Sequence, residues 1–255
     1  MDENEVKQIV RSEYGKIALQ TPSGSACGCG CGTESASGCG PTNLDSSKGI
    51  GYTEDDISNI PDDAILGLGC GNPIATSEIK EGETVLDLGS GGGIDCFLAA
   101  SKVGKNGKVI GVDMTAEMIN RARETLKKEN HENVEFRLGE IENLPVADNT
   151  VDLIISNCVI NLSPDKERVF QSAYRVLKPG GRINVSDIVL TQDLPEKIKN
   201  DPKSYVGCIS GALKEEVYVG FIKKAGFENI SVTSNFETGG FAKSVTVRAH
   251  KPKNI

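Results

Sequence analysis

The segment Thr84-Val85-Leu86-Asp87-Leu88-Gly89-Ser90-Gly91-Gly92-Gly93-Ile94-Asp95 constrains this chain more than any other. A short apolar β-branched run enters a glycine-dense turn, and an amphipathic stretch leaves it, which reads as strand, loop, helix. Glycines at such a turn let a ligand approach the backbone closely. A second apolar run ends at Val112-Asp113, roughly 20 residues past the glycines, where an acid at the tip of strand two can hydrogen-bond both ribose hydroxyls of a nucleoside. Asp87 narrows the ligand further. A carboxylate ahead of the glycines is awkward beside a pyrophosphate, whereas a ligand with an ammonium and a sulfonium gains from it. A glycine turn of purely structural use in an unrelated α/β domain is the competing reading.

Beyond Lys80, β-branched runs alternate with amphipathic segments, the pattern of a parallel sheet with helices on both faces. Strands are predicted near 84–88, 108–112, 133–137, 151–155 and 182–187. A helix from the cap Thr115 to Glu129 carries the stripe Ala116, Ile119, Ala122 and Leu126. After a helix ending at Gly226, the runs Ile230–Thr233 and Ser244–Ala249 flank a Gly-Gly turn and predict an antiparallel hairpin at a sheet edge. The expected fold class is therefore α/β, a Rossmann-like seven-stranded, mostly parallel sheet with a C-terminal antiparallel hairpin. Ahead of it, Val6, Ile9, Val10 and Tyr14 predict a short amphipathic helix, residues 20–50 read as a Gly/Ser/Cys-rich flexible stretch, and Thr53 with Asp56 reads as a cap opening a helical region around Pro61 to Gly67. Two parts follow: 1–52 as helix plus flexible segment, and 53–255 as the ligand-binding domain with an insert around 190–215.

Eight cysteines against two histidines need an explanation. The start Met1-Asp2-Glu3-Asn4-Glu5 lacks the basic, apolar character of a secretory signal, so a reducing cytoplasmic setting is expected, where thiols are seldom used as staples. A net charge of −8 gives no electrostatic footprint for nucleic acid or an anionic membrane, and no apolar run reaches the roughly 20 residues of a membrane helix, so a small-molecule partner is expected. His131 and His250 read as surface residues. Three cysteines fall where the fold presents its substrate face: Cys70 before strand one, Cys158 just past strand four, Cys208 after strand five. Each alone reads equally as a small buried hydrophobe. Together, soft thiolates from distant loops select a soft, thiophilic centre such as arsenic(III), whose lone pair stays exposed as a nucleophile that has no proton to lose. The lack of histidine general bases then follows. Cys96, within the helix after the glycine loop, reads as a core residue.

On these motifs the chain resembles the class I S-adenosylmethionine-dependent methyltransferases over roughly residues 65–250, and Gly139-Glu140-Ile141-Glu142-Asn143-Leu144-Pro145 and Leu177-Lys178-Pro179-Gly180-Gly181 are similar to further motifs of that family, an adenine-contacting segment and a structural turn. The resemblance implies S-adenosylmethionine as cofactor, held by Asp87, Gly89, Gly91, Asp113, Met114, Glu140, Ile141 and Asn157, with Glu142 solvated. A narrower resemblance is to the short microbial arsenite methyltransferases. It rests on Val10–Lys16, Ser25-Ala26-Cys27, Gly69-Cys70-Gly71, Ser156-Asn157-Cys158-Val159-Ile160-Asn161-Leu162 and Cys208-Ile209-Ser210-Gly211-Ala212-Leu213. It implies that Cys70 and Cys27 are paired thiols able to receive a disulfide in turnover, that Cys158 with Cys208 hold the arsenical, and that a thiol reductant such as thioredoxin or glutathione closes the cycle. The run Cys27-Gly-Cys29-Gly-Cys31 and Cys39 supply more thiols than that family pattern requires. Two other functions stay open from the residues: a small-molecule C- or O-methyltransferase, and a thiol-rich metalloid carrier.

Overall fold

The computed structural model describes residues 2–20, 43–129, 131–199 and 201–253; Cys27, Cys29, Cys31 and Cys39 lie outside the described residues. The N-terminal part contains α1 (Glu3–Ala18), α2 (Asn43–Gly49), α3 (Glu54–Ser58) and α4 (Pro73–Thr76). The first half of the sheet region follows as β1 (Thr84–Leu88), α5 (Ile94–Val103), β2 (Lys108–Asp113), α6 (Ala116–Lys128), β3 (Val134–Leu138) and β4 (Val151–Asn157). The rest is α7 (Lys166–Val176), β5 (Leu177–Leu190), α8 (Glu196–Lys199), α9 (Pro202–Val206), β6 (Leu213–Lys214), α10 (Glu215–Lys224), β7 (Glu228–Thr238) and β8 (Ala242–His250).

The strand order is β3-β2-β1-β4-β5-β8-β7, with the two-residue β6 beside the end of β5. β1 to β5 run parallel, while β8 is antiparallel to both β5 and β7. The hairpin thus forms one edge as expected, and its turn uses Gly239 and Gly240 at φ +61° and +71°, a left-handed pair that glycine adopts without strain. Strand alternation builds two cores. Val85, Val109, Leu153 and Ile155 pack with Phe97, Ile119 and Ala122 of α5 and α6. Leu86, Leu88, Ile110, Ile154 and Val185 pack on the other face with Phe170, Ala173, Tyr218 and Ile222 of α7 and α10. With both faces covered, the central strands β1 and β4 are buried on both sides, whereas β3, at the sheet edge, alternates.

Four local expectations need adjusting. The helical region after Thr53 is broken into α3, a 3-10 turn at Asp62–Ala64 and α4, although Thr53 does cap α3 in a reciprocal box with Asp56. On α6, Ala116 is exposed and Met118, Ile119, Ala122 and Thr125 are the buried face, while Thr115 takes the cap position without a side-chain bond. The Lys178-Pro179-Gly180-Gly181 turn interrupts β5 rather than preceding it: Val151 pairs with Leu177 and Leu153 already with Arg182. Glu142 is buried rather than solvated, because it accepts from the Ser163 hydroxyl at 2.7 Å and lies 3.4 Å from Lys7 Nζ.

A third apolar cluster lies over the carboxyl ends of the strands, where Val6 and Val10 of α1, Leu162, Ile188, Tyr205, Ala212 and Ala242 gather around Cys70 and Cys208. Ligands of open α/β sheets bind at this end. No helix among the described residues is long and apolar enough to cross a membrane.

Candidate active site

The glycine loop leaves β1 with Gly89 at φ +70°, Gly91 at +51° and Gly93 at +97°. At Gly91 a Cβ would meet nothing within 4 Å, so its surface is open, whereas at Gly89 it would strike the Val159 side chain at 2.3 Å. The Ser90 hydroxyl in the same loop is buried with no hydrogen-bond partner. Asp113, at the tip of β2, accepts from the backbone N–H groups of Gly91 at 3.0 Å and Thr115 at 2.8 Å, so it braces the loop with both oxygens.

Three carboxyls surround this loop: Asp87 and Asp95 are buried, and Asp113 is half-buried. Burial holds Asp87 well above the usual carboxylate range, with the Asp95 charge adding to it and the Cys96 thiol, 3.3 Å away, partly offsetting it. Burial pushes Asp95 up to about 7 against hydrogen bonds from Tyr52 and Asn157. Asp113 is raised by burial despite its backbone donors. No ion pair to any of the three occurs among the described residues. An uncompensated acidic pocket beside an open glycine surface and an orphaned hydroxyl fits a cationic nucleoside ligand, and S-adenosylmethionine carries both an ammonium and a sulfonium. The residues expected at its adenine end are placed differently from one another. Ile141 is buried at the start of a 3-10 turn, Met114 packs against the cluster around Cys70, and Glu140 is committed to α1 through Lys7 and Arg11, each at 2.6 Å. The Lys7 hydrogen bond is the main reason the Glu140 carboxyl stays below its usual value.

The three core cysteines expected to converge do so. Cys70 sits in the Gly69-Cys70-Gly71 loop, whose closeness to β4 and β5 forbids larger residues: a Cβ at Gly69 would lie 2.7 Å from the Asn157 amide, and one at Gly71 would lie 2.8 Å from Ser186. Asn157, expected to serve the cofactor, fastens this loop. Its Oδ1 accepts the Cys70 N–H at 2.9 Å, and its Nδ2 donates to the Gly71 carbonyl at 2.7 Å and the Tyr52 hydroxyl at 3.0 Å. Tyr52 in turn donates to Asp95 at 2.8 Å, so one chain of hydrogen bonds runs from the acidic pocket to the backbone of Cys70. Cys158 and Cys208 both adopt left-handed backbone, at φ +61° and +63°. For a residue with a Cβ this costs of order 1–3 kcal/mol, and such strain concentrates at functional sites. The Cys208 segment docks where Gly211 meets the Asn161 carbonyl, 2.0 Å from where a Cβ would stand. There the Cys208 thiol donates to the Cys158 carbonyl at 2.8 Å.

Burial pushes the Cys70 thiol up to about 11. Cys158 is also held well above its ordinary value, because the hydrogen bond with Cys208 lowers it less than the bond with Cys70 and burial together raise it. Both thiols therefore favour the protonated form at neutral pH. Cys96 is fully buried and bonded to Asp87, a core position as expected.

Asp187 of β5 was not anticipated. It is fully buried, its oxygens accept from the Tyr218 hydroxyl at 3.2 Å and the Ile188 N–H at 2.9 Å, and burial pushes it up to about 7. A carboxylate inside the apolar run Ile183–Val189 of a strand covered on both faces was the available signal. Lys166, nearly buried and depressed by burial, faces it. Tyr52 carried no comparable signal, since its partners lie more than 40 residues away.

Residues 79–231 match the model of a methyltransferase domain family. The arsenite methyltransferase of Halobacterium salinarum is 46% identical, over 98% of this chain and 68% of its own length. The human arsenite methyltransferase is 38% identical over 67% of this chain, which spans about half (48%) of the human protein. Among solved structures, an arsenic(III) S-adenosylmethionine methyltransferase from Chlamydomonas reinhardtii superposes with a TM-score of 0.65 at 33% identity, covering 82% of this chain and 74% of the algal one. A methyltransferase domain placed on this sheet, together with identity across nearly the whole chain, shows that the chain belongs to the arsenite methyltransferase family of S-adenosylmethionine-dependent methyltransferases.

Proposed function

We propose that this chain transfers the methyl group of S-adenosylmethionine to trivalent arsenic held by Cys70, Cys158 and Cys208. The observation that carries the reading is the meeting of three thiols from three separate loops at the carboxyl edge of the sheet, two of them on strained backbone and the third fastened by Asn157. Arsenite gives up three hydroxyls as water while three thiols give up their protons, which leaves a neutral trithiolate with an unshared pair. The bound cofactor would supply an electrophilic methyl. The chain's part is to fix the arsenic in place and exclude water, since the nucleophile needs orientation rather than proton removal. Forming the arsenic–carbon bond takes the metalloid from the trivalent to the pentavalent state. The two electrons that return it to the trivalent state come from two thiols that close to a disulfide; Cys27 with Cys70 is the pair we assign to this role, and a thiol reductant such as thioredoxin or glutathione then reduces that disulfide.

The cofactor roles assigned to Asp87, Gly89, Gly91 and Asp113 are supported by the acidic pocket and the open glycine surface. Those of Met114, Glu140 and Ile141 rest on the family resemblance. The division into 1–52 and 53–255, with 190–215 as an arsenic-binding insert, and a cytoplasmic setting belong to the same reading. The test is incubation with arsenite, a thiol reductant and cofactor, followed by arsenic speciation. Methylated arsenic above a protein-free blank is expected, and its absence overturns the reading.

A further inference from the structure

Arsenic(III) held by three sulfurs needs no fourth donor, because its remaining position is the lone pair. The site nevertheless contains one. The Sγ atoms of Cys70 and Cys158 and a carboxylate oxygen of Asp187 all lie within 4.8 Å of one another; Cys70 and Asp187 are buried and Cys158 is half-buried. Around a zinc-class ion, with sulfur at about 2.3 Å and oxygen at about 2.0–2.2 Å, such donors stand roughly 3.5–4 Å apart, so modest side-chain closure completes the shell. The Cys208 thiol, hydrogen-bonded to Cys158, is next in line for the fourth tetrahedral position.

We propose that Cys70, Cys158 and Asp187 form a binding site for a thiophilic divalent cation of the Zn2+ or Cd2+ class, which competes with arsenite for the same thiols. Asp187 separates the two ligands: it completes the cation's shell and takes no part in the arsenic trithiolate. Charge favours the assignment. A dication with two thiolates and one carboxylate carries one net negative charge, and the buried Lys166 ammonium, held by the Asn161 and Ser163 carbonyls and attracted by Asp187, offsets it. Binding releases the two thiol protons, and the Asp187 proton wherever that carboxyl is protonated, to solvent. A filled-shell dication has no lone pair to receive a methyl group, so the loaded chain is inactive until a metalloid or a chelator displaces the ion.

The proposal shares its thiols with the arsenic reading, yet the two fail separately. The test uses the full chain carrying Cys27→Ser, Cys29→Ser, Cys31→Ser and Cys39→Ser, titrated with Cd2+ alone and followed by the ultraviolet sulfur-to-cadmium charge-transfer band. One tightly bound Cd2+ displaced by arsenite is expected. Asp187→Asn should weaken Cd2+ at least about tenfold while leaving arsenite affinity within about twofold. Equal Cd2+ affinity in both chains, or Cd2+ that arsenite does not displace, overturns the proposal. Should the Asn chain not fold, X-ray absorption of the Cd2+-loaded chain with Asp187 intact decides: a mixed sulfur and oxygen shell supports the site and an all-sulfur shell refutes it. A chain that binds Cd2+ in this way but neither binds nor methylates arsenite would sink the arsenic reading alone.

Discussion

The Asn157 side-chain oxygen accepts the Cys70 N–H at 2.9 Å, so the residue that ends β4 positions a thiol in a loop 87 residues earlier. The same amide bonds the Gly71 carbonyl and the Tyr52 hydroxyl, so Asn157→Ala releases the Cys70 loop at two points and frees Tyr52 as well. We expect kcat/KM for arsenite to fall about 10–100-fold, the range seen when outer-shell partners of a ligand are lost. Cofactor affinity should change far less. Steady-state kinetics paired with calorimetric titration of cofactor separates the two; equal losses in both would mean that Asn157 serves the cofactor instead.

Gly89 and Val159 tie the two halves of the site together. Gly89→Ala places a methyl 2.3 Å from Val159, beside Cys158, on backbone at φ +70°. The left-handed conformation alone costs about 1–2 kcal/mol with a Cβ present, and the clash adds to it. Adding Val159→Ala removes the two Cγ atoms but leaves Cβ 2.6 Å away, so it should relieve part of the clash and none of the conformational cost, and a double-mutant cycle in thermal or urea unfolding should show positive coupling. Strict additivity would contradict the packing described here.

Much of this was legible beforehand, and the reason differs by element. The parallel strands are short apolar runs separated by periodic helices, and Asp113 stands at a spacing fixed by one strand-helix-strand unit, so local pattern sufficed. Convergence of Cys158 and Cys208 was readable because the parallel strands β1 to β5 bring their carboxyl ends to one edge, while Cys70, which precedes β1, reaches that edge through the loop that Asn157 fastens. Glu142 was misjudged because its partner Lys7 approaches from a helix 135 residues away, and a lone acid in a polar turn looks solvated. Asn157 resembled a cofactor ligand by position, and only the path of the Cys70 loop reveals its partners.

Asp95 makes stability depend on pH in an unusual direction. Burial raises its carboxyl to about 7 in the folded chain, against about 3.9 when unfolded. Its contribution is fully present below the unfolded value and is lost as pH rises through about 7, because the folded state binds the extra proton in that window. Denaturant midpoints of the cofactor-free chain should therefore fall between pH 5 and about 8, and Asp95→Asn should flatten that slope. An unchanged slope in the variant would remove Asp95 as the cause.

Lys7 anchors α1 to the Glu140 and Glu142 segment. Glu140 is more than a third exposed, so solvent screens its pair, and Lys7→Ala should cost less than about 1 kcal/mol of global stability. Local docking of α1 should respond more: amide exchange within residues 3–18 is expected to speed up, most clearly at low salt, where the wild-type pairs are least screened. Exchange that stays unchanged there would show that Val6 and Val10 hold the helix unaided.

The most direct measurement is arsenic speciation, by mass spectrometry after reaction with cofactor and a thiol reductant, of the wild-type chain beside Cys70→Ser, Cys158→Ser and Cys208→Ser. The account expects methylated arsenic from the wild type and loss of at least about 100-fold in Cys158→Ser and Cys208→Ser, with cofactor binding within about threefold in each. Wild-type yields from either of those two variants would contradict it.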